Sequence, residues 1–578
     1  MCDNFNQQTR YKRKRKKNFL KNAKGYGKKG MYGRGTQLDA DTYQYFVRIL
    51  EVHKEGFPSE EEKSIFINNV FQHTEDQEVN CCCNQVGCRV IQTFLPFASD
   101  EYLKRYMEIL TTDLRPLCCD PFASHVLQTL LEIACCKSLK DDINVDFKQF
   151  CRTTTLKISK FLLNNMEDYV WDTYGNHIIR TVLKSLACLE TDDIIDDEYK
   201  SIIKEYAVRL ISWPQFNDLL YSEGTSGLLQ VLLKTLEKVD TELLDKYAKK
   251  FVDSFTNITE NKSDNKNLDS KLSDAFTSKP MTMLLESCIE VATPKFYTKI
   301  YKKCFATKLL YLSKTKNTNF AVQKLLSHCK DKVEFESMFD ELSDHLSEII
   351  SAGHTGVILA LGQTCKNLVA KQGVFVQSIM KCYNCYEPEA NQMDIVMCLC
   401  KNTKQEFLKE CKDPDLQNVQ LNLHGTLIVQ LMLEFNKPIK IVNSILNINA
   451  TDLKKLFCNR KGNHIADLFV KSKYVGEKSR DKLFKKLQGT YQDLAGDKYG
   501  SRSFEAIWNT ANLKSKTIIM NELAYKDGTW SNTQFGRIIS SKINLQLYKR
   551  NKEQWHTFCT KNNSKINAKD LFSDIIGS

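Results

Sequence analysis

The sequence predicts an all-α helical solenoid. Two observations carry this prediction: a short polar motif recurs at nearly regular intervals, and each copy begins a stretch of helical apolar periodicity. Strand signals are weak throughout the 578 residues. Because the units of a solenoid bury their cores only against their neighbours, a chain of this length need not divide into three or four globular domains.

The motif is clearest at residues 459–468 and 172–180, where a glycine is followed by Asn and His. A further polar side chain, Asp467 or Arg180, comes three residues after the histidine. Positions i, i+1 and i+4 of an α-helix lie at about 0°, 100° and 40° around its axis, so the three polar side chains share one face. The apolar residues after Gly175 fall on the opposite arc. One helix therefore buries one side and presents a polar trio on the other.

The motif recurs along the whole chain. A third clear copy is Ala123-Ser124-His125 with Gln128, and looser copies have anchors at Gly87, Thr225, Met281, Thr318, Thr355, Gly425, Gly500 and Gly536. Successive anchors are separated by 36, 52, 50, 56, 37, 37, 70, 37, 38 and 36 residues. A period near 36 to 38 with insertions indicates repeats. The longest interval would accommodate one more repeat, and Ala390-Asn391-Gln392 lies midway in it.

The repeats and the charge pattern divide the chain into segments. We expect a disordered basic tail at 1–36, a helical N-terminal cap at 37–71, N-terminal and central repeats at 72–350, a divergent repeat region at 351–424, basic C-terminal repeats at 425–555 and a C-terminal tail at 556–578. The insertions near 136–146, 189–197 and 256–274 are polar or mixed and are expected to be loops between helices.

Positive charge is concentrated at the two ends of the chain. Residues 1–36 hold twelve Lys or Arg and one Asp, and residues 451–578 hold 24 basic and 12 acidic residues, whereas the formal net charge of the whole chain is +12. The middle is therefore acidic, and a polyanion would be held most strongly by the ends. The alternative is that such charge runs are only solvated surface.

The basic tail contains a compact run, Lys12, Arg13, Lys14, Arg15, Lys16 and Lys17, followed by a glycine-rich stretch. This composition cannot form a core. The run predicts a nuclear or nucleolar localisation signal and is also compatible with non-specific RNA contact. No secretory signal and no apolar run of membrane-spanning length are expected.

Neither a metal site nor a catalytic site is predicted. Among 22 cysteines, Cys382, Cys385, Cys398 and Cys400 have spacing that partly matches a zinc site, but the second pair lies in an apolar helix where free cysteine acts as a small apolar residue. The common phosphate-binding, zinc-protease and serine-hydrolase motifs are absent. His125, His177 and His464 occupy the same place in different repeats, which favours a binding ladder over one converging catalytic site.

The trio on the second helix of a repeat of about 36 residues resembles the pumilio-type RNA-binding repeat. The repeat number, the insertions and the basic extension are most similar to the nucleolar pumilio-like ribosome-assembly family, over roughly residues 40–555. The resemblance implies a right-handed, U- or C-shaped superhelix of about eleven degenerate repeats, with RNA on its concave face. The last four repeats carry the resemblance best, as in 458–468, 497–502 and 534–539.

In that family the middle member of each trio stacks on bases, while the first and third members hydrogen-bond a base edge. The middle positions would be Arg89, His125, His177, Gly227, Met283, Phe320, Val357, Leu427, His464, Arg502 and Ile538. Since Gly227 and Val357 cannot stack, base reading should be interrupted in the middle of the chain. The alternative for His177 and His464 is that they are hydrogen-bonded spacers between repeats.

The edge-reading pairs divide in the same way. By resemblance, Asn319/Gln323 is a uracil pair, Ser501/Glu505 a guanine pair, and Ser124/Gln128, Cys88/Gln92 and Ser226/Gln230 adenine pairs. The pairs Asn176/Arg180, Asn463/Asp467 and Gly356/Ala360 depart from the family's pattern, so one base per repeat is not expected throughout. Arg537 completes the expected RNA-binding set.

The resemblance implies a nucleolar protein that binds precursor 18S ribosomal RNA, single-stranded or partly structured. It would hold or shield a processing region during small-subunit biogenesis, without catalysis or cofactor. Pre-ribosomal particle proteins would be its partners, and a monomer with no membrane contact is expected. Two alternatives stay open: a pumilio-type mRNA regulator, which would need eight good trios in a row, and a protein-binding helical scaffold, in which the trios would be inert.

Overall fold

The predicted all-α architecture is confirmed in a computed structural model of the chain. The structure describes residues 31–191, 193–256, 273–276, 278–408, 420–525 and 527–560. By its internal contacts the chain divides into two units, Met1–Cys304 and Phe305–Ser578. The described residues contain only one small antiparallel strand pair, Met31–Tyr32 with Leu38–Asp39, and no helix long and apolar enough to cross a membrane.

The α-helices of the first unit are Ala40–Glu55, Glu60–His73, Glu78–Cys82, Gln85–Phe94, Asp100–Leu110, Leu114–Cys119, Ala123–Leu139, Val145–Asn164, Met166–Tyr169, Thr173–Leu186, Asp197–Ser212, Glu223–Val239, Thr241–Thr256, Lys279–Glu290 and Pro294–Ile300. Those of the second unit are Leu309–Lys314, Asn319–His328, Lys332–Leu342, Leu346–Ser351, Thr355–Asn367, Gln372–Cys382, Ile395–Lys401, Gln405–Leu408, Leu423–Leu433, Ile439–Asn447, Ala450–Phe457, Asn463–Lys471, Glu477–Lys486, Tyr491–Gly496, Gly500–Thr510, Leu513–Tyr525, Asp527–Trp530, Gln534–Lys542 and Leu545–Arg550.

We call the helices that carry the predicted trios the trio helices. In the first unit they are Gln85–Phe94, Ala123–Leu139, Thr173–Leu186, Glu223–Val239 and Lys279–Glu290; in the second they are Asn319–His328, Thr355–Asn367, Leu423–Leu433, Asn463–Lys471, Gly500–Thr510 and Gln534–Lys542. Within each unit every trio helix packs against the next one along the chain. Each unit is thus a stack of repeats, which is the arrangement of an α-solenoid.

A recurring N-cap explains where the trio helices begin. The residue three positions before the anchor accepts a hydrogen bond from the anchor's backbone N–H: Asp172 from Gly175 at 2.7 Å, and Asp497 from Gly500 at 2.7 Å. The same bond recurs at Asn84, Asp120, Ser278, Asn422 and Thr533. Such caps satisfy N–H groups that the first helical turn leaves unpaired, and so fix the register of the trio.

The small anchors are explained by a close backbone approach. A Cβ on Gly462 would lie 2.2 Å from the carbonyl oxygen of Leu456, and a Cβ on Gly536 would lie 1.9 Å from that of Trp530. Both carbonyls belong to the end of the preceding short helix. A larger residue would push the two helices apart, which is why the motif requires glycine at these positions.

Some predicted boundaries need correction. The cap is two helices, Ala40–Glu55 and Glu60–His73, packed through Tyr45 and His73 with ring centroids 4.0 Å apart. The predicted disorder of 1–36 does not extend to 31–36, where the backbone of Thr36 donates to Cys83 at 3.0 Å. The insertion near 136–146 is partly helical, because the helix before it continues to Leu139.

The 70-residue interval between Thr355 and Gly425 holds no trio at Ala390-Asn391-Gln392. Residues 389–394 form a 3₁₀ segment, and the trio helix Thr355–Asn367 packs directly against Leu423–Leu433. The localisation signal, most of the 256–274 insertion and residues 561–578 lie outside the described residues.

Candidate RNA-binding surface

The members of the trios differ systematically in exposure. The first member is buried in ten of the eleven trio helices, with Arg537 the exception, and the third is half-buried in most. The middle member is exposed at Arg89, His125, His177, Met283, Phe320, His464, Arg502 and Ile538. Aromatic rings and guanidinium groups are therefore available to a ligand at one recurrent position, and the middle members rather than the edge-reading pairs dominate the accessible surface.

Buried first members are held by the backbone. Asn463 donates through Nδ2 to the carbonyls of Asn459 at 3.0 Å and Arg460 at 2.8 Å, and Asn176 donates to the carbonyl of Val170 at 2.7 Å. The Oδ1 of Asn176 and the Oγ of Ser124 are buried without a partner within the described residues. The first members thus hold the helix start and retain limited capacity for a ligand.

The histidines of the second and third repeats form one local cluster. His125 and His177 are exposed middle members on consecutive trio helices that pack together. Burial lowers the pKa of His177, and the nearby charges of Arg180, His125 and Lys184 lower it further. The surroundings of the ring therefore favour its neutral form. Within the described part of the chain the rings of His125, His177 and His464 make no hydrogen bonds, so they are not hydrogen-bonded spacers.

The side chain of Arg180 does not lie on the surface of its own repeat. It crosses to the next trio helix, where a terminal nitrogen donates to the carbonyl of Gly224. A Cβ on Gly227 would lie 2.7 Å from Nη2, 2.8 Å from Cζ and 2.9 Å from Nη1 of this guanidinium. The guanidinium of Arg180 from the third repeat thus occupies the space beside Gly227 of the fourth. The sequence prediction missed this, because no pattern along one helix reports a side chain that crosses to another.

Phe320 is an exposed aromatic ring at a middle position of the second unit, with 59% of its surface accessible. The flanking members of its trio bond to each other: Gln323 donates from Nε2 to Oδ1 of Asn319 at 2.9 Å, and Asn319 donates to the carbonyl of Lys316 at 2.7 Å. The amide of Gln323 also fills the space beside Gly356. The predicted uracil pair would have to exchange these bonds for bonds to a base, which reduces its net contribution.

The C-terminal trios combine exposed stacking groups with paired charges. His464 and Arg502 are exposed. Asp467 pairs with Lys471 at 2.8 Å, and Glu505 pairs with Lys542 of the next trio helix at 2.7 Å. Ser501 is buried and donates to the carbonyl of Lys498 at 3.1 Å. Because the acidic third members are neutralised by lysines, this surface does not repel a polyanion as strongly as its carboxylates alone would.

At the remaining sites the structure departs from a uniform ladder. Val357 is fully buried, and Leu427 is half-buried, so neither presents a stacking surface. Cys88 donates to the carbonyl of Phe122 at 3.0 Å, while its partners Arg89 and Gln92 are exposed. The array of exposed stacking groups is therefore interrupted at the seventh and eighth repeats.

The four cysteines with zinc-like spacing are mostly buried in the apolar core. Cys385 Sγ lies 3.6 Å from Cys398 Sγ, and both residues and Cys400 are buried, whereas Cys382 is partly exposed. Burial raises the pKa of Cys400 to about 12, and the pKa of Cys398 is also raised. Thiols are the favoured form there, whereas zinc binding needs thiolates. Within the described residues, no group of three or more potential ligands is arranged for a metal ion.

A stack of paired helices whose trio helices present rings and guanidinium groups at one repeated position defines a pumilio-type RNA-binding repeat protein. The chain belongs to the NOP9-like PUF repeat domain family, which matches residues 76–204 and 190–538. Nucleolar protein 9 of Mus musculus is 24% identical over 90% of this chain and 88% of that protein, and the Homo sapiens protein of the same name is 23% identical over the same shares. Pumilio homolog 23 of Arabidopsis thaliana is 21% identical over 90% of this chain and 73% of that protein.

Solved structures agree on the fold. The chain has a TM-score of 0.69 to a structure of APUM23 with GGAAUUGACGG, with 20% identity, 91% of this chain and all of that chain covered. Mouse, human and yeast relatives share the name of nucleolar protein, and the chain is accordingly a nuclear, nucleolar protein.

Proposed function

We propose that this protein binds precursor 18S ribosomal RNA, single-stranded or partly structured, through its trio helices. It would act in small-subunit ribosome biogenesis by holding or shielding a processing region, without catalysis. The observation that carries the proposal is the recurrence of exposed stacking groups at the middle position of consecutive, mutually packed helices. The names of the nucleolar relatives and the structure of APUM23 with GGAAUUGACGG support the proposal.

The proposed interface has two groups of stacking residues, one in each unit. In the first unit, Arg89, His125 and His177 are consecutive exposed middle members, suited to stacking on successive bases. In the second unit, Phe320 stands before the interruption at Val357, and His464 and Arg502 come after it. Stacking on such groups contributes about 1–3 kcal/mol per base and tolerates any base. The RNA would therefore be held by separate stretches of stacking, with the net positive charge of 451–578 retaining its backbone.

The residue assignments are part of the proposal. The RNA-contacting set comprises Cys88, Arg89, Gln92, Ser124, His125, Gln128, Asn176, His177, Arg180, Asn319, Phe320, Gln323, Asn463, His464, Asp467, Ser501, Arg502, Glu505 and Arg537. Pre-ribosomal proteins are the proposed protein partners, and the chain acts as a monomer. Base-edge reading by the first and third members stays a prediction.

The first experiment tests the stacking surface in solution. A variant with His125, His177, Phe320, His464 and Arg502 all changed to Ala should bind single-stranded RNA several kcal/mol more weakly, because about 1–3 kcal/mol is lost per stack. Affinity is measured by fluorescence anisotropy and folding by circular dichroism. The matched control changes Val145, Ile194 and Val333, which are exposed apolar residues outside the trios, and should bind normally. Unaltered binding by the trio variant would favour the protein-binding scaffold.

The second experiment identifies the RNA. Crosslinking the protein to RNA in cells and reading the attached transcripts should recover precursor ribosomal RNA of the small subunit. Recovery of mature mRNA untranslated regions instead would replace the proposal with the mRNA-regulator hypothesis.

A further inference from the structure

The pairing of Arg180 with Gly227 joins the two repeats that depart from the expected ladder. The third repeat has an arginine where the family's edge-reading pairs have Gln or Glu, and the fourth has a glycine where a stacking side chain is expected. Taken separately, each is a defect. In the structure the two compensate, because the arginine occupies the space of the side chain that the glycine lacks.

The orientation of the guanidinium follows from three distances. The Cβ position of Gly227 is 2.7 Å from Nη2, 2.8 Å from Cζ and 2.9 Å from Nη1. If the group approached edge-on through its terminal nitrogens, Cζ would be clearly more distant than both of them. Nearly equal distances require that the Cβ position lie over the flat face of the group. One face of the guanidinium therefore covers Gly227, and the Arg180 side chain as a whole is half-buried and not fully enclosed.

The contacts of Arg180 do not account for it as a structural ion pair. Its one hydrogen bond within the described residues is donated to the carbonyl of Gly224, and its Nε is buried without an acceptor. No described carboxylate pairs with it. Partial burial lowers its pKa, since desolvation disfavours the charged form. A charged plane held in this way without a counter-ion is suited to an electron-rich partner such as a nucleobase face.

We propose that Arg180 is the stacking residue of the fourth repeat, supplied by the third. The Arg89, His125, His177 and Arg180 side chains then form four successive stacking positions in the first unit, and the ladder does not stop at Gly227. The ligand is a nucleobase of a single-stranded RNA. Because stacking tolerates every base, this position selects a planar ring and not a particular sequence. This inference rests on the proposed RNA-binding function.

The role of Gly227 follows from the same geometry. Any side chain there would displace the guanidinium, since even a Cβ would lie within 3 Å of three of its atoms. The pair is thus mutually dependent: glycine is needed because the arginine is present, and the arginine is needed because glycine cannot stack.

The test uses the full chain and a fluorescein-labelled single-stranded RNA pool of random sequence, with affinity measured by anisotropy. Arg180→Lys retains the positive charge but removes the plane. If Arg180 stacks, Arg180→Lys and Arg180→Ala should both weaken binding by roughly five- to a hundredfold, the loss of one stacked base. If it acts only as a cation near phosphate, Arg180→Lys should bind as the unaltered protein does, and the proposal is overturned.

A rescue separates stacking from a structural role. The double variant Arg180→Ala with Gly227→His places a ring at the middle position of the fourth repeat. His125 and His177 are the rings at the same position of the two preceding repeats. It does not restore the bond to Gly224, so recovery of most of the lost affinity supports stacking. Failure to recover, with circular dichroism and thermal melting unchanged, would overturn it.

A further pair of variants distinguishes the inference from the function it rests on. His125→Ala and His177→Ala should weaken binding by similar factors. If they do so while Arg180→Lys has no effect, only the role of Arg180 fails. If neither histidine variant binds more weakly, the proposed RNA surface of this unit fails as well.

Discussion

At the scale of single residues, the surroundings of the exposed His177 lower the pKa of its ring. Partial burial of His177 opposes its protonation most strongly, and the charge of the neighbouring Arg180 opposes it further. A neutral imidazole stacks on a base without the cost of desolvating a charge. The cluster therefore favours the uncharged ring at the pH of the nucleus, and acidification should oppose both folding and this form of the site.

The first prediction concerns the titration of His177. Its pKa in the folded chain should lie below the ordinary value of 6.5, and Arg180→Gln should raise it, because the repulsion from the guanidinium is removed. Below pH 6.5 the unfolded chain binds this proton more readily than the folded chain. Stability should therefore fall as the pH drops from 6.5 through the folded pKa, and His177→Gln should remove that part of the fall. NMR titration of the ring resonances measures the pKa, and a folded value at or above 6.5 would contradict the assignment.

At the scale of the helix, the anchor glycines set how closely the elements of a repeat can pack. Gly462→Ala should destabilise the chain by about 1–3 kcal/mol, because the new methyl group meets a backbone carbonyl that cannot rotate away. Gly373 is the matched control: it lies in the helix Gln372–Cys382, and its Cβ position meets nothing within 4 Å. Gly373→Ala should be neutral or stabilising by up to about 1 kcal/mol. Chemical denaturation measures both, and equal effects would show that the close approach is not what requires glycine.

The N-caps form the second element-scale prediction. Asp172 accepts bonds from the backbone N–H groups of Tyr174 and Gly175 at 2.9 and 2.7 Å, directly before His177 in the helix. Asp172→Ala should cost about 0.5–2 kcal/mol of stability. RNA affinity should fall as well, because the first turn that orients the trio frays. Asp172→Asn keeps the acceptor and is expected to preserve both stability and RNA affinity. Denaturation and anisotropy on the same samples measure the two quantities. A lower stability or affinity in Asp172→Asn would show that the charge of Asp172 matters and not its capping bond.

The sequence specifies the helical elements better than it specifies the surface they create. Period and register were predictable because the motif at Gly175 or Gly462 combines a local cap with a local apolar stripe, and both are encoded within a few residues. Three other features could not be predicted, because each depends on which side chains and helices come to lie side by side. They are the crossing of Arg180 to Gly227, the hydrogen bond between Gln323 and Asn319, and the direct packing across the 70-residue interval. The strand pair near Met31 was missed because glycine-rich composition indicates disorder unless a partner backbone is in reach. Here Leu38–Asp39 supplies the partner strand, and Cys83 accepts from Thr36 between the two strands.

At the scale of the whole molecule, the stacking groups extend well beyond the segments of excess positive charge, because only His464 and Arg502 lie within residues 451–578. The stacking groups stand on the trio helices of both units, whereas the strongest excess of positive charge is in residues 1–36 and 451–578. Stacking is insensitive to ionic strength, while contacts with phosphate release counter-ions and weaken as salt rises. The two contributions to RNA binding can therefore be told apart by titrating salt.

The last prediction concerns the basic run at the start of the sequence. Removal of residues 1–30, which hold eleven Lys or Arg and one Asp, should flatten the dependence of log affinity on log salt by about 0.7 for each phosphate no longer neutralised. The trio variant should instead weaken binding at every salt concentration with a nearly unchanged slope. Changing the run from Lys12 to Lys17 to glutamine should also move the protein out of the nucleus, as seen by fluorescence microscopy. The alternative outcome is that the deletion leaves the salt slope unaltered while the glutamine variant leaves the nucleus. The tail would then be a localisation signal that makes no contact with RNA, and the charge of residues 451–578 alone would retain the phosphate backbone.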